Sequence, residues 1–186
     1  MNKDLLPTFL NLIFNKNIVL YHLLGICPIL LYRISLKESL KIGIIITLMM
    51  LINVWVVSLT FLTQFYFAKF RILLTILIVY LIMHFTKVIL THYKPSFAYL
   101  FDKYPEFFYT NYALYGTTIM NIKINNPLFM TLNSISAGIG YLILLIVFMP
   151  VKERMLSSKK SSQEKNIALE LIILGLMSML FMNITF

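Results

Sequence analysis

The sequence predicts an all-α integral membrane protein. It reads as a single domain over residues 1–186 with six transmembrane segments, arranged as two inverted three-helix repeats with the first segment of each half interrupted. Three observations predict this. Hydrophobic residues make up 60% of the chain and charged residues only 12%, about half the share in an average soluble domain, and mean hydropathy is +0.85. A water-soluble fold of this size would need far more Lys, Glu, Asp and Arg on its surface. The apolar residues also gather into runs near the ~20 residues that a bilayer core demands. Finally, the two irregular runs stand first in each half of the chain.

The first segment, about 5–31, is broken by polar residues and by Gly25-Ile26-Cys27-Pro28. Proline disfavours helix in the residue before it and glycine is flexible, so the helix breaks near Cys27. Backbone that is not helical at membrane depth must be buried in protein or line a cavity, which puts Cys27 at a protein contact and not against lipid. The second (about 40–62) and third (about 72–90) segments have ordinary spanning length. The fourth, about 107–120, is short and polar, with Tyr109-Thr110-Asn111-Tyr112-Ala113-Leu114-Tyr115-Gly116 at its centre. The fifth (about 128–149) and sixth (about 167–186) are again ordinary, and the polar stretch 152–166 between them reads as a loop. Repeat one then covers about 1–95 and repeat two about 96–186. Three spans per half orient the halves oppositely, a known way to build a site at the membrane midplane.

Charge sets the orientation. The loops after segments one, three and five hold Arg33, Lys37, Lys41, Lys94, Lys103, Lys152, Arg154, Lys159, Lys160 and Lys165; the other side holds Lys3, Lys69, Arg71 and Lys123. Positive loops stay in the cytoplasm, so both termini are predicted outside. The net charge of +9 therefore reads as topology and not as a nucleic-acid footprint. One cysteine excludes an internal disulfide and a complete cysteine metal site within the chain. Residues 2–7 lack the basic start of a signal peptide. Isoleucine outnumbers alanine 26 to five, whereas membrane helices normally pack through small residues; the skew reads as drift in an AT-rich genome.

The candidate functional residues follow from cost. Cys27 reads either as a small packing residue or as a functional thiolate, and its Gly-x-Cys-Pro setting favours the second. Asn111 reads either as a hydrogen-bonding partner for a neighbouring helix or as part of a break that answers the one at Cys27. Lys16, His22 and Glu170 lie within apolar segments, where ionisable groups point to function unless they reach an interface. His84 and His92 read as interfacial, and no spacing of His, Cys and Glu reads as a metal site.

These residues resemble a known family, the RnfA/NqrE membrane subunits of bacterial ion-translocating electron transport complexes. The resemblance covers nearly the whole chain. It is carried by Asn17-Ile18-Val19-Leu20, Leu24-Gly25-Ile26-Cys27-Pro28, the 110–116 stretch, Ser136-Ala137-Gly138-Ile139-Gly140, Lys152-Glu153-Arg154, Ile167-Ala168-Leu169 and Gly175-Leu176-Met177-Ser178. The final segment favours this branch over the sister RnfE/NqrD branch. The resemblance implies six helices in a three-plus-three inverted repeat, an inner-membrane location and pairing with an RnfE/NqrD-like sister subunit of opposite topology. It implies that two cysteines from each subunit hold an iron–sulfur cluster at the shared interface, which relays electrons while the complex moves Na⁺ or H⁺. Thiolates suit iron, and four of them are the usual set for such clusters. Cys27 then stands as a cluster ligand, framed by Gly25 and Pro28, while Asn111 adjoins the second ligand position.

The sequence departs from the family at that second position, where Tyr112 stands in place of cysteine. Before it, Asp102 and Glu106 replace a glycine and a proline, Pro105 is displaced by one, and Lys16 replaces an asparagine next to Asn17. Four thiolates cannot be assembled with this chain. Three thiolates and another ligand remain, such as a tyrosinate oxygen, or the cluster is lost. The expected function is thus a subunit of an electron-transferring, ion-translocating complex with an altered cluster. The alternatives are a non-redox scaffold or relic subunit, or a small transporter using Lys16, His22 or Glu170. No catalytic site of the chain's own is evident.

Overall fold

The computed structural model describes residues 24–61, 71–121, 126–157 and 163–182, together with Ile13, Asn17, Val19 and His22. All regular structure among them is helical. The helices are α1 (Ile26–Leu31), α2 (Leu36–Phe61), α3 (Arg71–Tyr93), α4 (Pro95–Lys103), α5 (Glu106–Tyr109), α6 (Tyr112–Asn121), α7 (Pro127–Ser157) and α8 (Gln163–Met182). Three are long and apolar enough to cross a membrane, over Leu36–Ser58, Ile72–Tyr93 and Pro127–Arg154, and α8 adds a shorter apolar stretch at Ile167–Met179.

The centre of the fold is the packing of α2 on α7. In α2 the buried residues include Ser39, Ile42, Gly43, Ile46, Met49, Met50, Asn53, Val54 and Val57, spaced three and four apart on one face. In α7 they include Ser134, Ala137, Gly138, Tyr141, Leu144, Leu145, Phe148, Met149 and Lys152. Each of these stands 95 positions after its counterpart in α2, as Gly138 does after Gly43. The glycines set the register. A Cβ on Gly43 would lie 3.1 Å from the Leu142 side chain, and one on Gly138 would lie 2.5 Å from that of Thr47. Four residues up α2 thus correspond to four residues down α7, so the helices run antiparallel with small residues at the crossing.

The other elements dress this pair. Helix α3 buries Thr75, Val79 and Met83 and turns Ile72, Leu73, Ile76, Leu77, Phe85, Val88 and Ile89 outward, so it is peripheral, with only 17% of its apolar window covered. Helix α4 is amphipathic. It starts on Pro95, whose missing N–H costs nothing at that position, and buries Ala98, Leu100 and Phe101 while Tyr99, Asp102 and Lys103 stay exposed. The Phe101 ring stacks on Phe108 of α5 at 3.8 Å between centroids.

The 152–166 stretch departs from its expected loop. Helix α7 continues to Ser157, and α8 begins at Gln163. Lys152, Glu153, Arg154 and Met155 all have good helix propensity, and Lys152 is only 3% exposed because it finds buried partners. It is therefore not a free loop charge.

Candidate functional site

The two interrupted segments meet. Gly25 caps the start of α1 with φ 82° and ψ 17°, the left-handed conformation that L side chains rarely adopt. It is buried against the second break. A Cβ there would collide with the Asn111 amide oxygen, lie 2.8 Å from the Tyr141 ring and 3.0 Å from the Ala113 Cβ. One step back, Leu24 packs on Gly116, where a Cβ would lie 2.8 Å from the Leu24 methyl.

Each break is organised by an asparagine. Asn111 is fully buried; its Oδ1 accepts the Ala113 N–H at 3.0 Å and its Nδ2 donates to the Phe107 carbonyl at 3.1 Å. It thereby bridges the end of α5 and the start of α6, satisfying backbone groups that a broken helix leaves unpaired. Asn17 does the same in segment one. Its Oδ1 accepts the Val19 N–H at 3.0 Å, and its Nδ2 donates to the Ser136 carbonyl on α7 at 2.6 Å. Gly140 makes room for that amide, since a Cβ there would lie 2.6 Å from the Asn17 Cγ. Helix α7 is thus the surface on which both breaks are assembled.

The predicted site residues fall around this junction. Gly25, Pro28 and Asn111 are buried within it. Cys27 and Tyr112 are both exposed, Tyr112 at 60%. Cys27 therefore does not fill a gap between helices of this chain; it is on the surface, two residues after one turn, as Tyr112 is one residue after the other. His22 is exposed as well. Lys16 lies outside the described residues. Glu170 is buried on α8 and forms an ion pair with Lys152 at 3.1 Å. Among the described residues, no three His, Cys, Asp or Glu side chains gather where they could hold a metal ion.

Two of the family departures have local partners. Glu106 accepts a hydrogen bond from the Tyr32 hydroxyl, and this bond pushes the Tyr32 pKa up to about 12, so Tyr32 remains a neutral donor at physiological pH. Asp102 pairs with Lys87. Tyr141 escapes sequence reasoning, being one tyrosine in an apolar run. Gly138, Gly140 and Lys152 stand in stretches that carry the resemblance, but their contacts with Thr47, Asn17 and Glu170 come only from the packing of distant segments.

A helical membrane protein whose two broken segments cross on a central helix and expose a thiol beside the crossing is the class that these features define. The chain belongs to the family described as "Rnf-Nqr subunit, membrane protein", whose model matches residues 5–186. It is similar to the RnfA component of the ion-translocating oxidoreductase complex of Citrobacter koseri, 27% identical over 184 residues that cover 97% of this chain and 95% of the relative. The protein of the same name from Serratia proteamaculans is 25% identical over 186 residues, covering 98% and 96%. That from Cronobacter sakazakii is 24% identical over 184 residues, covering 97% and 95%.

The donor set does not fit a four-thiolate cluster of the kind the resemblance implies. This chain offers one thiol, Cys27, and at the second position the exposed phenol of Tyr112.

Proposed function

We propose that the chain is the RnfA-like integral membrane component of an Rnf-type ion-translocating oxidoreductase complex. In this reading it sits in a bacterial inner membrane and takes part in electron transfer coupled to Na⁺ or H⁺ movement. The observation that carries the reading is the meeting of the Gly25 and Asn111 turns, with Cys27 exposed beside them. The likeness to the RnfA relatives along nearly the whole chain supports it.

The finer architecture is part of the proposal: six spans in two inverted halves. The matching buried positions of α2 and α7 and their antiparallel crossing support it. Both termini face outward. Without buried Lys152 the loop charges still stand nine to four in favour of that orientation. An RnfE/NqrD-like sister subunit covers the face where Cys27 and Tyr112 are exposed. A cluster shared across that face takes Cys27 as this chain's one thiolate.

Tyr112 favours a second reading, a scaffold subunit without redox chemistry. One experiment separates the two. The chain is purified anaerobically together with its sister, and the pair is assayed for iron, for acid-labile sulfide and by EPR. Iron and sulfide in an intact pair support the electron relay, and the absence of both assigns the scaffold role. In the first case, Tyr112→Cys raises cluster occupancy; no rise would show that Tyr112 is not at a ligand position.

A further inference from the structure

Three oxygens converge on one ammonium where α1, α7 and α8 meet. The Lys152 Nζ lies 2.9 Å from the Ile29 carbonyl, 2.6 Å from the Leu30 carbonyl and 3.1 Å from the Glu170 Oε2. The two charged side chains are 3% and 4% exposed. An ammonium has three N–H donors and no acceptor; it donates to the two carbonyls, and the Glu170 carboxylate answers its charge as an ion pair.

The origin of the cage is the shortness of α1. A helix leaves its last carbonyls unpaired, with partial negative charge. The Pro28 carbonyl accepts the Tyr32 N–H at 3.2 Å, while those of Ile29 and Leu30 turn to Lys152. Glu170 supplies the full negative charge. Main-chain carbonyls at the end of a half-helix are also the donors that membrane transporters offer an alkali cation. The one carboxylate here matches a single positive charge.

We propose that the Ile29–Leu30–Glu170 oxygens form a monovalent-cation site whose resident occupant is the Lys152 ammonium. The lysine takes the place of a bound alkali ion and clamps the half-helix that bears Cys27 onto α7 and α8. The assignment concerns what neutralises Glu170 and stands apart from the electron relay.

Removing the tethered cation while leaving the cage should make the protein dependent on a free one. The full chain is purified with its membrane partners, and thermal unfolding is followed in NaCl and in choline chloride at equal ionic strength. The natural chain should not distinguish the two salts. Lys152→Ala should show a saturable Na⁺-specific rise in midpoint of about 3 °C or more. The rise should vanish in Lys152→Ala/Glu170→Gln, which keeps the carbonyls and loses the charge. The Arg33 guanidinium is near enough to act on Lys152, so the same variants are repeated with Arg33→Gln to keep it from filling the space. Equal midpoints of Lys152→Ala in Na⁺ and choline, in both backgrounds, would overturn the proposal, as would a Na⁺ response that survives Glu170→Gln. Accumulation in the membrane gives a second readout. If Lys152→Ala accumulates at no Na⁺ concentration while the neutral pair Lys152→Met/Glu170→Gln does, the cage takes no free cation and the proposal fails. Na⁺-dependent accumulation of Lys152→Ala supports it.

Discussion

Gly25 is the residue on which the junction turns. Its positive φ costs an L side chain about 1–2 kcal/mol, and the crowding by Asn111, Ala113 and Tyr141 adds about 1–3 kcal/mol. Gly25→Ala should therefore lower stability by about 2–5 kcal/mol, read as a fall in the unfolding midpoint. Gly175 is the internal control. A Cβ there meets nothing within 4 Å, so Gly175→Ala in the middle of α8 should leave the midpoint unchanged or raise it, by about 0.5–1 kcal/mol. Similar losses at both positions would mean that the contacts around Gly25 do not govern stability. Sequence reasoning reached Gly25, Pro28, Cys27 and Asn111 because glycine, proline and an intramembrane amide are locally unusual. It missed Tyr141, which touches the same turn, because a tyrosine in an apolar run is ordinary until the fold brings Gly25 to it.

At the scale of elements, α4 is held by one carboxylate. Glu38, in the first turn of α2, accepts from Tyr99 at 2.5 Å, Lys103 at 2.7 Å and Tyr104 at 3.1 Å. The Ser35 hydroxyl also donates to it and accepts the Glu38 N–H, so Glu38 is tied to the start of its own helix and anchors a second one. The hydrogen bond to Glu38 holds the Lys103 pKa above the ordinary lysine range. A raised lysine pKa means that the bond is fully present below the ordinary value of about 10.4 and is lost only above it, so this tether persists through neutral pH. Glu38→Ala should speed amide exchange across 95–103 by about tenfold or more, while α7 keeps its protection. Equal exchange in the two proteins would show that burial of Leu100 and Phe101 alone docks α4. The ends of α2 and α3 lie close to the apolar runs of the sequence. The end of α7 does not, because Lys152, Glu153 and Arg154 look like a polar loop to any reading that cannot see Glu170 waiting on α8.

For the whole molecule, one cysteine makes orientation easy to test. In a Cys27→Ser background, single cysteines are placed at Ser35, Lys94 and Asn126, which flank α2, α3 and α7. A membrane-impermeant maleimide added from outside should label Asn126→Cys and spare the other two until the membrane is opened. Labelling of Ser35→Cys or Lys94→Cys in sealed cells would reverse the assigned topology. The proposed repeat of the two halves rests, in the sequence, on a matching order of irregular segments. Residue identities do not carry it, since Asn53 and Phe148 stand 95 positions apart at buried sites of α2 and α7. Its support comes from burial, because the shape of the α2–α7 crossing constrains which positions are covered and leaves the choice of side chain open.

The pairing of α2 with α7 also has a consequence for how the protein is made. The two helices leave the ribosome 95 residues apart, counted from Gly43 to Gly138. At about 5–20 residues per second, α2 waits on the order of 5–20 s for the helix that packs on Gly43 and Thr47. During that interval the face that α7 will cover stays open. A chain that stops before α7 never closes it, and in a pulse–chase it should decay faster than the full chain.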